Sequence, residues 1–121
     1  MKCGNIVADK SFHFAVRIVN VFKYLSAEKE EHVLSQQLLR SGTSIGANIA
    51  EAECAVSRND FIAKLYIAFK ESAETLFWLR LLHETQYLSD GQYESLAKDC
   101  NELKALLSSI TKTARQKAEN I

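Results

Sequence analysis

The sequence contains no proline and only four glycines in 121 residues, whereas a chain of this length carries about six prolines on average. All-β and α/β folds use these two residues at their many turns, so their scarcity argues against both classes. The chain also lacks an excess of one charge, because 15 basic residues balance 15 acidic ones. It therefore offers no bulk attraction to nucleic acid or to an anionic membrane. The composition, 47% apolar and 25% charged, is typical of an ordinary folded all-α protein.

Cysteine is scarce as well: Cys3, Cys54 and Cys100 are widely spaced and form no C-x-x-C pair. Such a set predicts neither a disulfide framework nor a zinc site, so we expect free thiols in a reducing compartment. The longest uninterrupted apolar run, residues 65–69, is far shorter than the ~20 residues of a membrane span. Residues 1–9 lack the apolar core of a signal peptide. We therefore expect a cytoplasmic protein with no membrane partner.

Apolar residues recur at intervals of three and four along four segments, which predicts four helices. We expect one domain, residues 1–121, with helices at about 10–25, 30–56, 60–86 and 91–117. Asp9 or Ser11 would cap the first helix, residues 57–60 (SRND) would begin the third, and Ser89 with Gln92 fits a capping box before the fourth. Because the connections are short, the helices fold back on one another as an all-α, up-down-up-down antiparallel four-helix bundle.

The first and third helices carry more apolar surface than one bundle face uses. Helix 1 has one apolar stripe that includes Phe12 and Val16, and a second stripe beside it. In helix 3, 15 of the 22 residues from 61 to 82 are apolar, where a core face needs about three in seven. Exposed apolar patches mark interfaces, so we expect a homo-oligomer. The residues expected at its interface are Phe14, Ile18, Val21, Ile62, Tyr66, Phe69 and Phe77.

Residues 42–46 (GTSIG) match both G-x-S-x-G and G-x-x-x-G. A hydrolase needs a strand that delivers the serine into a strained turn, and here the motif lies inside a helical pattern. We therefore expect no enzyme activity from it. Small residues at this spacing let a neighbouring helix approach closely. We interpret Gly42, Ser44 and Gly46, together with Asn48 and Glu51, as a helix-packing motif.

No cofactor or metal is predicted. Di-iron bundles use Glu-x-x-His pairs, but the residue three positions before each of the three histidines is basic. Charged residues among apolar neighbours need partners, so Arg40, Glu71, Glu74 and Arg80 predict a buried ion-pair network that fixes helix register. A binding role, or acid–base catalysis by the two glutamates, is the alternative.

Four segments resemble a known family: residues 37–52 (QLLRSGTSIGANIAEA), 57–65 (SRNDFIAKL), 68–75 (AFKESAET) and 78–82 (WLRLL). With residues 11–19 before them, they resemble the 23S rRNA intervening-sequence proteins, a bacterial four-helix bundle family. That family is similar in fold to the accessory variability determinant of diversity-generating retroelements, a pentameric barrel that binds nucleic acid. The resemblance implies a homo-oligomer, with five subunits, and RNA, DNA or a nucleic-acid enzyme as partner. It assigns no catalytic residue.

Charge is divided unevenly between the two ends of the predicted bundle. Eight basic and five acidic residues lie in the segments of one end, residues 1–17, 51–67 and 105–121. Four basic and seven acidic residues lie in those of the other, residues 22–34 and 80–99. We expect nucleic-acid contacts through phosphates at Lys10, Arg17, Arg58, Lys64, Lys112, Arg115 and Lys117. The alternatives are that the last three only balance a helix dipole, and that the protein is an interaction scaffold that contacts no nucleic acid.

Overall fold

The structure, a computed structural model, describes residues 5–119. Its helices are α1 (Asn5–Ala27), α2 (Leu34–Ala52), α3 (Arg58–Glu84) and α4 (Asp90–Glu119). Each helix packs on the next one in the chain, and α1 also meets α4, although more sparsely. This arrangement confirms the all-α, antiparallel four-helix bundle. Cys3 and Lys2 lie outside the described residues.

The first helix begins earlier than its apolar pattern indicated. Asp9 and Ser11, the predicted caps, both lie inside α1. Ser11 is only 1% exposed, and its Oγ donates to the carbonyl oxygen of Ala8 at 3.0 Å. A capping side chain instead accepts a hydrogen bond from a free backbone N–H. Neither residue therefore starts the helix.

The connection from α1 to α2 is organised by Glu31. Its carboxylate accepts hydrogen bonds from the backbone N–H groups of Val33, Leu34 and Ser35, at 3.1, 2.9 and 2.7 Å. The first N–H groups of a helix have no partner within it, and this carboxylate supplies one. Because the cap lies at Glu31, α2 begins at Leu34 and not at residue 30. Glu30, just before the cap, has a φ of 53°.

The other two connections are capped within their predicted segments, although α2 ends at Ala52 and not at residue 56, and α3 begins at Arg58 and not at residue 60. The Oγ of Ser57 accepts from the N–H of Asp60 at 3.0 Å, so α3 begins at Arg58, directly after this cap. The capping box before α4 is confirmed. The Gln92 N–H donates to Ser89 Oγ at 3.1 Å, and the Ser89 N–H donates to Gln92 Oε1 at 2.8 Å.

Helices α1 and α2 meet at the two glycines of the G-x-x-x-G motif. A Cβ added at Gly42 would lie 2.8 Å from Cγ1 of Ile18, a side chain that is 0% exposed. A Cβ at Gly46 would lie 3.3 Å from the carbonyl oxygen of Ser11. The absent side chains therefore allow α1 to approach α2 closely, as the motif predicts.

The prediction that Phe14 and Ile18 lie at a subunit interface is wrong, because the bundle itself buries them to 2% and 0% exposure. The stripe beside them is the exposed one, with Phe12 at 66% and Val16 at 45%. The physical reason is Gly42, which leaves room on α2 for Ile18 and so selects the face of α1 that turns inward. Other large side chains of this core are Leu25, Leu38, Ile45, Leu65, Leu79, Leu103 and Leu107.

The two described cysteines are free thiols in different surroundings. Cys54 is exposed and Cys100 is buried. Burial raises the pKa of Cys100 to about 12, so this thiol stays protonated at neutral pH and is a poor nucleophile. Within residues 5–119, no helix is long and apolar enough to cross a membrane.

Candidate nucleic-acid interface

The start of α3 and the end of α4 lie at the same end of the antiparallel bundle. The Ser57 cap fixes where α3 begins and thereby places Arg58 in its first turn. Lys112, Arg115 and Lys117 occupy the last turns of α4. Among the side chains that the structure describes, Arg58, Lys112 and Lys117 form no ion pair. We call Arg58, Lys112, Arg115 and Lys117 the basic corner.

The other three predicted contact residues are paired with carboxylates. Lys10 lies 2.5 Å from Glu102. Arg17 lies 2.6 Å from Asp99 and also donates to the side-chain oxygen of Ser95 at 2.9 Å. These two pairs bridge α1 and α4. They are partly exposed, so each contributes little to stability, but each neutralises a cation that was expected to contact phosphate.

The third pair joins Lys64 of α3 to Glu51 of α2, at 3.3 Å. The Glu51 of the predicted packing motif therefore also holds a cation. Two other motif residues bond to their own helix: the Oγ of Ser44 donates to the Arg40 carbonyl at 2.6 Å, and Nδ2 of Asn48 donates to the Ser44 carbonyl at 2.8 Å. The motif is thus used for packing and for backbone bonds.

Aromatic rings lie beside the basic corner, between α3 and α4. The guanidinium of Arg115 lies over the Tyr66 ring, 4.9 Å from its centroid, and the Lys104 ammonium lies 5.8 Å from the centroid of Phe69. An opening of about 200 Å³ lies between the two helices here and is lined by side chains of both. No sequence pattern singled out Lys104, because only the fold brings it to Phe69.

An apolar groove of about 360 Å³ runs between α1 and α2 on another side of the bundle. Small residues such as Ala15, Gly46 and Ala50 form much of its wall, and Phe12 stands at its edge. Ile6 on the same helix is 67% exposed. Of the predicted interface residues that remain, Tyr66 (41%) and Phe77 (56%) are exposed, whereas Val21, Ile62 and Phe69 are only partly so.

The ion pairs observed between α2 and α3 differ from the predicted network in two ways. Arg40 pairs with Glu74, and more loosely with Glu71 at 3.4 Å, but the arginine side chain is 49% exposed, so the network is not buried. Arg80 is exposed and takes no part in it among the described residues. Instead Nε1 of Trp78 donates to Glu74 at 2.9 Å. Both glutamates serve to join α2 and α3.

No group of three or more His, Cys, Asp or Glu side chains within the described part of the chain is arranged to hold a metal ion. His83 has a structural role: it stacks on Tyr93 with centroids 4.4 Å apart and lies 2.7 Å from an oxygen of Asp90. These contacts join the end of α3 to the start of α4.

Comparison with known proteins places the chain beside one described family and beside solved structures. The profile of the family described as 23S rRNA-intervening sequence protein matches residues 4–109. A crystal structure at 1.70 Å resolution of a protein of unknown function from the S23 ribosomal protein family of Bacteroides thetaiotaomicron VPI-5482 is 59% identical. It covers 93% of this chain and 99% of its own, with a TM-score of 0.89. No curated protein matches the chain significantly.

Proposed function

The chain belongs to the 23S rRNA-intervening sequence protein family, and from this premise we propose a non-enzymatic, self-associating helical bundle that binds RNA or DNA through its basic corner. It would act in the cytoplasm and bind phosphates without reading base sequence. The observation that carries this proposal is the excess of basic over acidic residues at this end of the bundle, where Arg58, Lys112 and Lys117 form no ion pair among the described side chains.

Three features support contact with a polyanion at this corner. Arg58 comes from the start of α3 and Lys112, Arg115 and Lys117 from the end of α4, so two helices contribute cations to the same end of the bundle. The carboxylates of Glu102 and Asp99 pair with Lys10 and Arg17 of α1, and neither forms an ion pair with a residue of the basic corner among the described side chains. A ring of several subunits with the same orientation would repeat the patch around one rim, which multiplies the local positive potential.

The direct test replaces all four corner residues, Arg58, Lys112, Arg115 and Lys117, with Gln. Binding of structured RNA and of single-stranded DNA is measured by electrophoretic mobility shift at several salt concentrations. Each lost phosphate contact lowers the slope of log K against log salt by about 0.7–0.9. We therefore expect the slope to fall by roughly 3 and the affinity near 0.1 M salt to fall more than about tenfold.

The matched control removes the same amount of charge from the opposite end, in a variant with Lys23, Lys29, Arg80 and Lys98 replaced by Gln. This variant should bind as the parent does. Equal losses in both variants would show that only total charge matters. Failure of the parent to bind either probe would contradict nucleic-acid binding and favour the second candidate, a protein-interaction scaffold. The overall neutrality of the chain, 15 cations against 15 anions, favours that alternative.

Self-association rests on the apolar side chains that α1 leaves in contact with water, Ile6, Phe12 and Val16, of which Phe12 lines the groove against α2. An apolar surface of this kind is typical of a contact with another chain, and the family resemblance suggests five copies. We expect light scattering to give a mass of about 68 kDa, five times the 13.6 kDa chain.

In this assembly Phe12→Glu should shift the mass toward that of the single chain, because the carboxylate would lose water on burial. Val56→Glu is the control, since Val56 is 93% exposed and lies outside the groove. A parent mass of 13.6 kDa at micromolar concentration would refute self-association.

A further inference from the structure

We propose that the opening between α3 and α4 beside the basic corner binds an unpaired base, so that single-stranded nucleic acid is the preferred ligand. This inference rests on the proposed function and specifies its ligand. The opening, which we call the stacking groove, is lined by Tyr66, Phe69, Ser108, Thr111, Lys112 and Arg115.

One aromatic ring of the stacking groove is accessible. Tyr66 is 41% exposed, whereas Phe69 is partly buried against the core. The Tyr66 and Phe69 ring centroids are 5.9 Å apart and the rings are inclined at 31°. The exposed Tyr66 ring, over which the Arg115 guanidinium lies, provides an apolar face on which a base can stack, and every base has such a face.

The charge around the groove has one sign. Lys112 and Arg115 line it, and Lys104 lies over its Phe69 ring. No carboxylate is among its lining residues, and the acidic residues that precede it on α4, Asp99 and Glu102, pair with cations of α1. The groove is therefore complementary to an anion.

The acidic residue of α3 nearest to the rings is also engaged elsewhere. Glu71 pairs with Arg40 of α2, on another side of the helix. Rings and cations therefore line the groove together, with no carboxylate among its lining residues. The Ser108 hydroxyl at its wall can donate or accept hydrogen bonds, whereas the Thr111 hydroxyl already donates to the Leu107 carbonyl oxygen at 2.6 Å.

A nucleic-acid strand fits this combination better than an acidic peptide does. A peptide carboxylate would use the cations but would leave the exposed part of the Tyr66 ring in water. A nucleotide uses both, because its phosphate meets Lys112 or Arg115 while its base lies on Tyr66. In a duplex the bases are already stacked and paired, so their faces are not free to bind. Single strands are therefore expected to bind more tightly than duplexes.

The test compares labelled oligouridylate of about 12 nucleotides with an abasic strand of equal length and with an RNA duplex, by fluorescence anisotropy. The abasic strand keeps the phosphates and lacks the bases. The parent should bind oligouridylate roughly tenfold more tightly than the abasic strand. Tyr66→Leu should abolish that difference and leave binding of the abasic strand unchanged. Tyr66→Phe keeps the ring and should bind as the parent does.

The matched control is Tyr93→Leu, which removes a tyrosine ring from the other end of α4, where it stacks on His83. It should leave all three affinities unchanged.

Photocrosslinking of the parent to a strand carrying 5-iodouridine gives a second readout that needs no variant. We expect the crosslinked peptide to contain Tyr66 or Phe69.

The outcomes separate this inference from the function on which it rests. If the parent binds none of the three probes, the proposed function fails. If it binds the abasic strand and oligouridylate equally, and crosslinks form elsewhere, phosphate binding stands and the stacking site is refuted. If Tyr66→Leu dissociates an oligomer in light scattering, the groove is a contact between subunits, which also refutes the site.

Discussion

Gly42→Val is expected to destabilise the bundle by about 3 kcal/mol, at the upper end of what overpacking of a core costs. A Cβ at this position would lie 2.8 Å from Cγ1 and 2.9 Å from Cγ2 of Ile18. Both atoms are attached directly to the Ile18 Cβ, so they cannot withdraw as the end of a long side chain could. Chemical denaturation at a fixed protein concentration measures the change.

Two further variants isolate the cause of this loss. Gly91→Val is the matched control, because Gly91 is also helical and a Cβ there would meet nothing within 4 Å. Its stability should stay within about 0.5 kcal/mol of the parent, as for most surface changes. Ile18→Ala removes every atom that would clash. The double variant should therefore be more stable than the sum of the single losses predicts, by more than about 1 kcal/mol. Strict additivity would contradict the clash.

The same contact explains which part of the fold could be predicted from sequence. The capping segments before α3 and α4 could be predicted, because in each the Oγ of a serine, Ser57 or Ser89, accepts a hydrogen bond from the backbone N–H three residues later. The buried face of α1 could not. Its two apolar stripes are similar in hydrophobicity, and the choice between Phe12 and Ile18 depends on Gly42, which is distant in sequence.

The candidate site was predictable to the same extent. Antiparallel topology places the start of α3 near the end of α4, so the sequence could assign Arg58 and Arg115 to the same end of the bundle. It could not identify which cations are neutralised. The partner of Arg17 is Asp99, 82 residues away, and no local spacing relates the two. Tyr66 was predicted on a subunit interface because its ring is apolar, and the contact with Arg115 depends on the fold.

Glu31 was missed as a cap because its position does not follow the usual pattern. Capping residues are mostly Ser, Thr, Asp or Asn placed directly before the helix, whereas Glu31 reaches forward from a residue outside it. Burial raises the pKa of its carboxyl, but hydrogen bonds from the backbone at Leu34, Ser35 and Val33, with the Ser35 side chain, outweigh this and hold the pKa below its ordinary value of 4.5. The charge also faces the positive end of the α2 dipole.

Glu31→Ala should therefore lower the free energy of unfolding at pH 7 by about 2 kcal/mol, because it leaves the backbone N–H groups without an acceptor. Glu31→Gln should cost about 1 kcal/mol, since it keeps the shape and removes the charge. The matched control is Glu30→Gln, which changes an exposed carboxylate next to the cap and should be close to neutral. Chemical denaturation at pH 7 measures all three.

The pH dependence distinguishes a charged cap from a merely well-packed side chain. The folded carboxyl has the lower pKa, so its stabilising effect is complete above the unfolded value near 4.5 and is lost as the pH falls through the folded value. The stability difference between the parent and Glu31→Gln should consequently be constant from pH 7 down to about 5 and shrink below that. A difference that stays the same at pH 3 would mean that the carboxylate charge contributes nothing, and that shape alone holds the start of α2.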